Sequence, residues 1–424
     1  PSSDTMANGQ RTVEDVIEAL GFGQAQVRNL LAYGIWFVEG AQIQLASNLT
    51  EVMAADLLLT KAQRASLSSL IFVGIAVGSL IGGFVSDKIG RVPPLMLCFL
   101  VSTLSQLLMA FVSSFSPLVI LRLAMGIGLG LGMAPSLALV SETTPASHRV
   151  MLQGVRSLMF VSGQIFAAAV FIADSPAWMM GLHWQSELAV STLVFASLGL
   201  AARYFLHDSA VYLAHAGRHA ESVASLIVMR RMNGKEGPNF VSIEYDSDEP
   251  PEGGGQNNKG FRGGWTEALN VVFGQHLVWI TFVLLWGSIM ANLLLYGHLY
   301  AFPKILVAIE STMMPGYQDL MQALVAVATH SAVTVFAVVT SCRCTLALAG
   351  VLGFVGPVLL AWTASLDVRT RSQDLLYLAA QNMPSIAAAC AFLATFQCAV
   401  DFYPARVKAT SAAVVVASGR LAGI

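Results

Sequence analysis

Apolar residues fall in long blocks along this chain, and short polar segments separate them. Blocks of mostly apolar residues begin near Val27, Leu67, Leu95, Leu118, Val155, Leu188, Leu277, Leu320, Leu346 and Leu375. A helix that crosses a bilayer needs about 20 such residues. The pattern therefore predicts ten spanning helices. An eleventh block starts near Thr410 and reaches Ile424, too short to cross, so the expectation is a fragment that stops inside span eleven. One long polar stretch, Asn233 to Gly264, contains EYDSDEPPEGGGQNNKG and divides six spans from the rest. Its composition is that of a disordered linker. Just before it, Asp208 to Met232 carries charge at helical spacing, which predicts one amphipathic helix on the membrane surface. The expected organisation is a cytoplasmic N-terminal segment (1–26), a six-helix bundle (27–206), a cytoplasmic amphipathic helix with linker (207–264), and a second bundle (265–424).

Composition narrows the function. The 424 residues are 55% hydrophobic and 11% charged, with mean hydropathy +0.66. Soluble domains carry about 25% charged residues, so the bilayer is the expected partner. The net charge of −2 is uninformative, and nothing in the chain suggests nucleic acid. Cys342-Arg343-Cys344 lacks the spacing of a zinc or redox pair. There is no nucleotide-binding loop. The expectation is a monomer that is not an enzyme, has no cofactor or metal, and takes a small-molecule substrate, with protons as a further candidate. Basic residues set the orientation. With the N-terminus in the cytoplasm, Arg11, Arg28, Lys88, Arg91, Arg149, Arg156, Arg343, Arg406 and Lys408 lie inward, together with the bases of 203–262. The outward segments hold only Lys61, Arg64, Lys304, Arg369 and Arg371.

The two halves echo each other. Ser141-Glu142-Thr143-Thr144-Pro145 is followed by Arg149, and Asp401-Phe402-Tyr403-Pro404 by Arg406 and Lys408. A weaker echo links Ser86-Asp87-Lys88 with Ser341-Cys342-Arg343. Duplicated halves are a common plan for secondary transporters, with the site near the midplane between them.

GFVSDKIGR (83–91) resembles the loop between spans two and three of the major facilitator superfamily. RLAMGIGLG (122–130), SETTPASHR (141–149) and HDSAVYLAHAGR (207–218) resemble its sugar-porter and organic-ion branches. TVEDVIEALGFGQAQ (12–26) and ANLLLYG (291–297) resemble its synaptic-vesicle-glycoprotein-related branch. The resemblance implies an all-α membrane fold of two six-helix bundles, with about 11 transmembrane helices present, working by alternating access. It implies transport of a small organic solute, an organic ion first, with a proton-coupled sugar porter or a non-transporting receptor or scaffold as alternatives. The implied location is the plasma membrane or an intracellular vesicle membrane. HDSA stands where the family has Pro-Glu-Ser-Pro, and SCRC replaces the second loop motif, which implies a second-half gate that is weaker or built differently.

Candidate residues follow. Gly83, Asp87, Arg91, Glu142, Arg149, Asp401 and Arg406 form a candidate cytoplasmic gate; the alternative is a solvated basic loop that only sets topology. Gly74, Gly78 and Gly82, with Gly126, Gly128 and Gly130, present small faces for sliding or for static packing. An ionised Glu39 in an apolar block is costly. By the block limits it lies about 14 Å below the outer surface, and Arg122 about 8 Å. In proton-coupled sugar porters an acid and an arginine at matching positions are the coupling pair, so the resemblance implies that role for Glu39 and Arg122. A permanent structural pair and a charge facing a wet cavity stay open. Arg420, a base shared with organic-ion and synaptic-vesicle relatives, either recognises an anion or pairs within the protein. Trp36, Gln42, Gln164, Asn292, Tyr296, Gln381 and Asn382 are candidate substrate contacts or packing between helices, and Trp36 and Trp286 candidate stacking walls. His298 and His330 are bases that titrate near neutrality or plain packing residues.

Overall fold

The computed structural model describes residues 12–174, 183–235, 265–308, 315–366 and 371–423. The helices are α1 (Val13–Leu20), α2 (Gln24–Asn29), α3 (Gly34–Asp56), α4 (Lys61–Ile89), α5 (Val92–Met109), α6 (Phe115–Glu142), α7 (Ala146–Asp174), α8 (Trp184–Phe205), α9 (Ala210–His215), α10 (His219–Met232), α11 (Trp265–Val272), α12 (Val278–Ala308), α13 (Pro315–Val339), α14 (Cys342–Ala364), α15 (Arg371–Asp401) and α16 (Lys408–Arg420). Among the described residues, nine helices are long and apolar enough to cross a membrane. Helix α3 falls outside that count because Glu39, Gln42, Gln44, Asn48 and Thr50 make it polar, yet all five are buried. Polar side chains point into the protein and leave the lipid face of the bundle apolar. Helix α16 falls outside it by length, at 13 residues. Nine spans thus stand among the described residues, and the expected count of about eleven is not reached, since α3 is too polar and α16 too short to be counted.

Small residues decide how closely the first bundle packs. The glycine rows of α4 and α6 face each other: a Cβ on Gly78 would overlap the Ile127 carbonyl, and one on Gly130 the Ile75 carbonyl. The same occurs between α3 and α7, where a Cβ on Gly40 would overlap the Phe160 carbonyl. In lipid, close backbone approach of this kind replaces the hydrophobic drive available in water.

The surface segment differs from expectation. The helix expected over 208–232 is two helices, α9 and α10, broken at Gly217, whose φ of +74° is a left-handed value that suits glycine. The N-terminal segment is also structured. Thr12 and Asp15 form a capping box at the start of α1. Its buried face (Val13, Val16, Ile17 and Leu20) packs with Val211, Leu226 and Met229. Asn233 ties the cap together, accepting from the Ala25 N–H at 3.0 Å and donating to the Gly21 carbonyl at 3.2 Å. The side of the molecule that carries this cap is called the N-terminal face below. The linker expected over 233–264 lies outside the described residues from position 236 onward.

Candidate substrate cavity and its gate

On the N-terminal face the loop between α4 and α5 locks the two halves together. Arg91, 1% exposed, pairs with Asp87 at 2.8 Å and with Glu142 at 2.8 Å. Burial alone would lower the Arg91 pKa, but Glu142 and Asp87 hold it above its ordinary value. Asp87 also crosses to the second half. It accepts from the Thr410 N–H at 2.8 Å, the Thr410 hydroxyl at 2.7 Å and the Ala409 N–H at 3.3 Å. A first-half carboxylate thus caps the N-terminus of second-half helix α16, where backbone N–H groups lack intrahelical acceptors. Arg91 donates to the Ala405 carbonyl at 3.2 Å, and Arg149 reaches Asp401 at 3.4 Å. Gly83 lets α4 and α16 touch, since a Cβ there would overlap Ala413. The expected gate residues are brought together except Arg406, which is exposed at the rim of a groove with Lys88 and Arg218.

The HDSA segment contributes where erosion was expected. Asp208 accepts from the Arg91 N–H at 2.7 Å and the Val92 N–H at 2.9 Å, which caps α5. Burial pushes its carboxyl above the ordinary range, with these two N–H groups opposing. In the SCRC segment, Ser341 accepts from the Cys344 N–H at 3.3 Å and caps α14.

Above the gate lies a cavity between the halves. Trp36, Glu39, Gln44, Arg156, Ser157, Phe160 and Gln164 line it from the first half. Tyr296, Asp319, Gln322, His330, Asn382, Ser385, Phe392 and Arg420 line it from the second. Glu39 pairs with Arg420 at 2.6 Å, both side chains 3% exposed or less. The Arg420 guanidinium also donates to the Tyr296 hydroxyl, to Asn292 Oδ1 at 3.4 Å and to Met133 Sδ at 3.5 Å. Tyr296 in turn donates to Glu39 at 3.4 Å. The buried acid is thus matched across the two halves, which joins α3 to α16 and α12.

The partner of Glu39 is a departure from the sequence reading. Helix α3 runs on to Asp56, so Glu39 lies about 26 Å from that end, while Arg122 lies about 10 Å from the Phe115 end of α6. That offset is too long for an ion pair. Arg122 approaches Met53 Sδ at 3.8 Å instead, near the Asp56 end of α3. Gln42 does not line the cavity. Three residues turn a helix by about 300°, and Gln42 donates to Gln106 on α5 at 3.0 Å. Asn292 supports Arg420 from behind. Trp36 and Gln164 line the cavity, but Trp286 is 64% exposed on the outer surface of the bundle. Asn382, Tyr296 and His330 line it too, and His330 hydrogen-bonds Ser157 at 2.6 Å. The side chains of Gln381 and His298 lie outside the described residues.

Sequence reading also missed a residue. Arg156 was counted among the cytoplasmic bases, but α7 starts ten residues earlier, at Ala146, and carries Arg156 into the cavity wall at 3% exposure. A base inside an apolar block was the available signal.

The decisive comparison is with protein families: residues 30–424 match the model of the Major Facilitator Superfamily. The chain belongs to the major facilitator superfamily. Among curated relatives, Organic cation/carnitine transporter 7 of Arabidopsis thaliana is 30% identical over 57% of this chain and 48% of its own length. The Synaptic vesicle 2-related protein of Bos taurus is 30% identical over 56% of this chain and 42% of its own length. The matched part thus spans about half of each relative. Among solved structures, the proton:xylose symporter XylE bound to 6-bromo-6-deoxy-D-glucose covers 94% of this chain, which covers 86% of it, with TM-score 0.66 and 15% identity. That likeness shows the fold. A major facilitator protein is a multi-pass membrane protein of a transporter family, and its cavity between halves is the place to seek its substrate.

Proposed function

We propose that this chain is a secondary transporter that carries a small organic ion by alternating access, with its N-terminal face toward the cytoplasm. The observation that carries the reading is a cavity between the halves, lined by apolar walls and a few charged and polar side chains, and shut on one face by cross-half bonds of Asp87 and Arg91. Such a latch biases two near-equal conformations, for which a few kcal/mol suffices. The name of one curated relative, an organic cation/carnitine transporter, supports an organic ion. Glu39 is the proposed proton carrier, with Arg420 as its partner. When the halves separate, Arg420 on the second half leaves Glu39 on the first, and an uncompensated buried carboxylate takes up a proton. The proposed location is the plasma membrane or a vesicle membrane.

Uptake by the full-length protein in proteoliposomes tests the reading. Labelled small organic ions should accumulate with an inward pH gradient, and excess glucose should not compete. Competition by glucose would point to a sugar porter. No flux of any solute, with or without a gradient, would point to a receptor or scaffold of this fold.

A further inference from the structure

We infer that Arg156 is the anion-binding group of the cavity, and that it receives the carboxylate of a small organic substrate in the plane of its guanidinium. The inference deepens the transporter reading and rests on it. The guanidinium carbon lies 4.5 Å over the ring of Trp36 and 4.7 Å over the ring of Phe396. Trp36 belongs to α3 and Phe396 to α15, so one ring comes from each half. Trp36 is held in place by its own N–H bond to Ser136 at 3.0 Å. Phe396 is stacked on Phe392 at 5.6 Å between ring centroids.

The two ring centroids are 5.5 Å apart, so both rings lie on one side of the guanidinium and leave its N–H edge as the place for an in-plane ligand. One edge position is used, since Nε donates to Gln153 at 3.1 Å. Nη2 is buried and has no hydrogen-bond partner. A buried guanidinium nitrogen without an acceptor is costly, and the residue faces the cavity. The neighbouring charges do not meet its need. Glu39 is matched by Arg420, and among the described residues no carboxylate forms an ion pair with Arg156. Two cations, Arg156 and Arg420, and two acids, Glu39 and Asp319, line the cavity, and among the described residues Arg420 rather than Arg156 forms the ion pair. A planar fork offering parallel N–H groups fits a carboxylate geometrically. Phe160 and Phe392 supply apolar wall for the body of the ligand.

The site draws on both halves, so bound carboxylate favours the conformation in which Trp36 and Phe396 both lie against the same cation. A ligand that binds one conformation better shifts the population toward it. The anion would then help hold the arrangement seen here.

The test uses the full chain in lipid nanodiscs, with labelled benzoate and its neutral counterpart benzamide as probes in equilibrium binding. Benzoate should bind at least about tenfold more tightly than benzamide, the scale of a charged hydrogen bond. Arg156→Gln should erase that difference and leave benzamide unchanged. Arg156→Lys keeps the charge but not the planar fork, and should lose part of the benzoate affinity. Equal binding of the two probes by the unaltered chain, or full benzoate affinity in Arg156→Gln, overturns the inference. If Arg156→Gln does not elute as a folded species, Arg156→Lys decides, and undiminished benzoate preference overturns the inference. Counterflow of benzoate in proteoliposomes separates the two readings. Binding that depends on Arg156 without counterflow upholds the anion site and overturns transport. Flux of other solutes that survives Arg156→Gln, with no benzoate preference in the unaltered chain, does the reverse.

Discussion

Replacing Asp87 with Asn should open the N-terminal face. Oδ1 of Asp87 accepts from Arg91 at 2.8 Å and from the Ala409 N–H at 3.3 Å, and Oδ2 accepts from the Thr410 N–H and hydroxyl at 2.8 and 2.7 Å. An amide nitrogen in place of one oxygen cannot accept, so the Thr410 N–H faces another donor. The Arg91 contact lies within the first half and survives opening, so it does not enter the difference between closed and open states. Two hydrogen bonds to a charged acceptor do enter it, at about 1.5 kcal/mol each or more. A loss of about 3 kcal/mol moves the closed-to-open ratio about 100-fold. The assay is pulsed electron-spin distance measurement between labels on Ser147 and Phe402, both exposed on this face and in different halves. Asp87→Asn should convert one short distance into a mixture dominated by a longer one. Arg149→Ala should do little, because its pair with Asp401 is 3.4 Å long and partly exposed, and such pairs contribute about 0–1 kcal/mol. An unchanged distance in Asp87→Asn, or equal opening by Arg149→Ala, would refute the assignment of the latch to Asp87.

Glu39→Gln should abolish accumulation driven by a pH gradient but leave solute exchange measurable, and unchanged accumulation would remove Glu39 from the proposed coupling. The same variant leaves Arg420 buried without its carboxylate, which typically costs about 3–5 kcal/mol; a thermal unfolding midpoint equal to that of the parent would contradict the pairing. Arg122→Gln should keep gradient-driven accumulation, since Arg122 sits with Met53 and not with Glu39; its loss in proteoliposome uptake would restore the sequence-based pair. Gly40→Ala should destabilise by about 1–3 kcal/mol through overpacking because the new methyl meets the Phe160 carbonyl, whereas Gly350→Ala meets nothing within 4 Å and should be neutral. Thermal midpoints of the two variants measured side by side decide that point.

Hydropathy alone was enough to announce a helical membrane protein, because the bilayer forces each crossing segment to be long, apolar and internally hydrogen-bonded. The motif GFVSDKIGR and the repeated acid–proline–base pattern marked the family and most of the gate, because those residues act close to where they stand in the chain. Helix ends were less legible. Apolar runs stop where polarity rises, yet α3 continues to Asp56 as a buried polar helix, and that shift moved Glu39 away from Arg122. Partnership across the halves was not legible at all. Asp87 with Thr410, Glu39 with Arg420, and Arg156 with Phe396 each join residues hundreds of positions apart. Sequence says which residues are charged inside an apolar block and must therefore be matched. Only the packing of the two bundles determines which cation meets which acid, because ion pairs need contact within a few ångströms, and that proximity is a property of the fold.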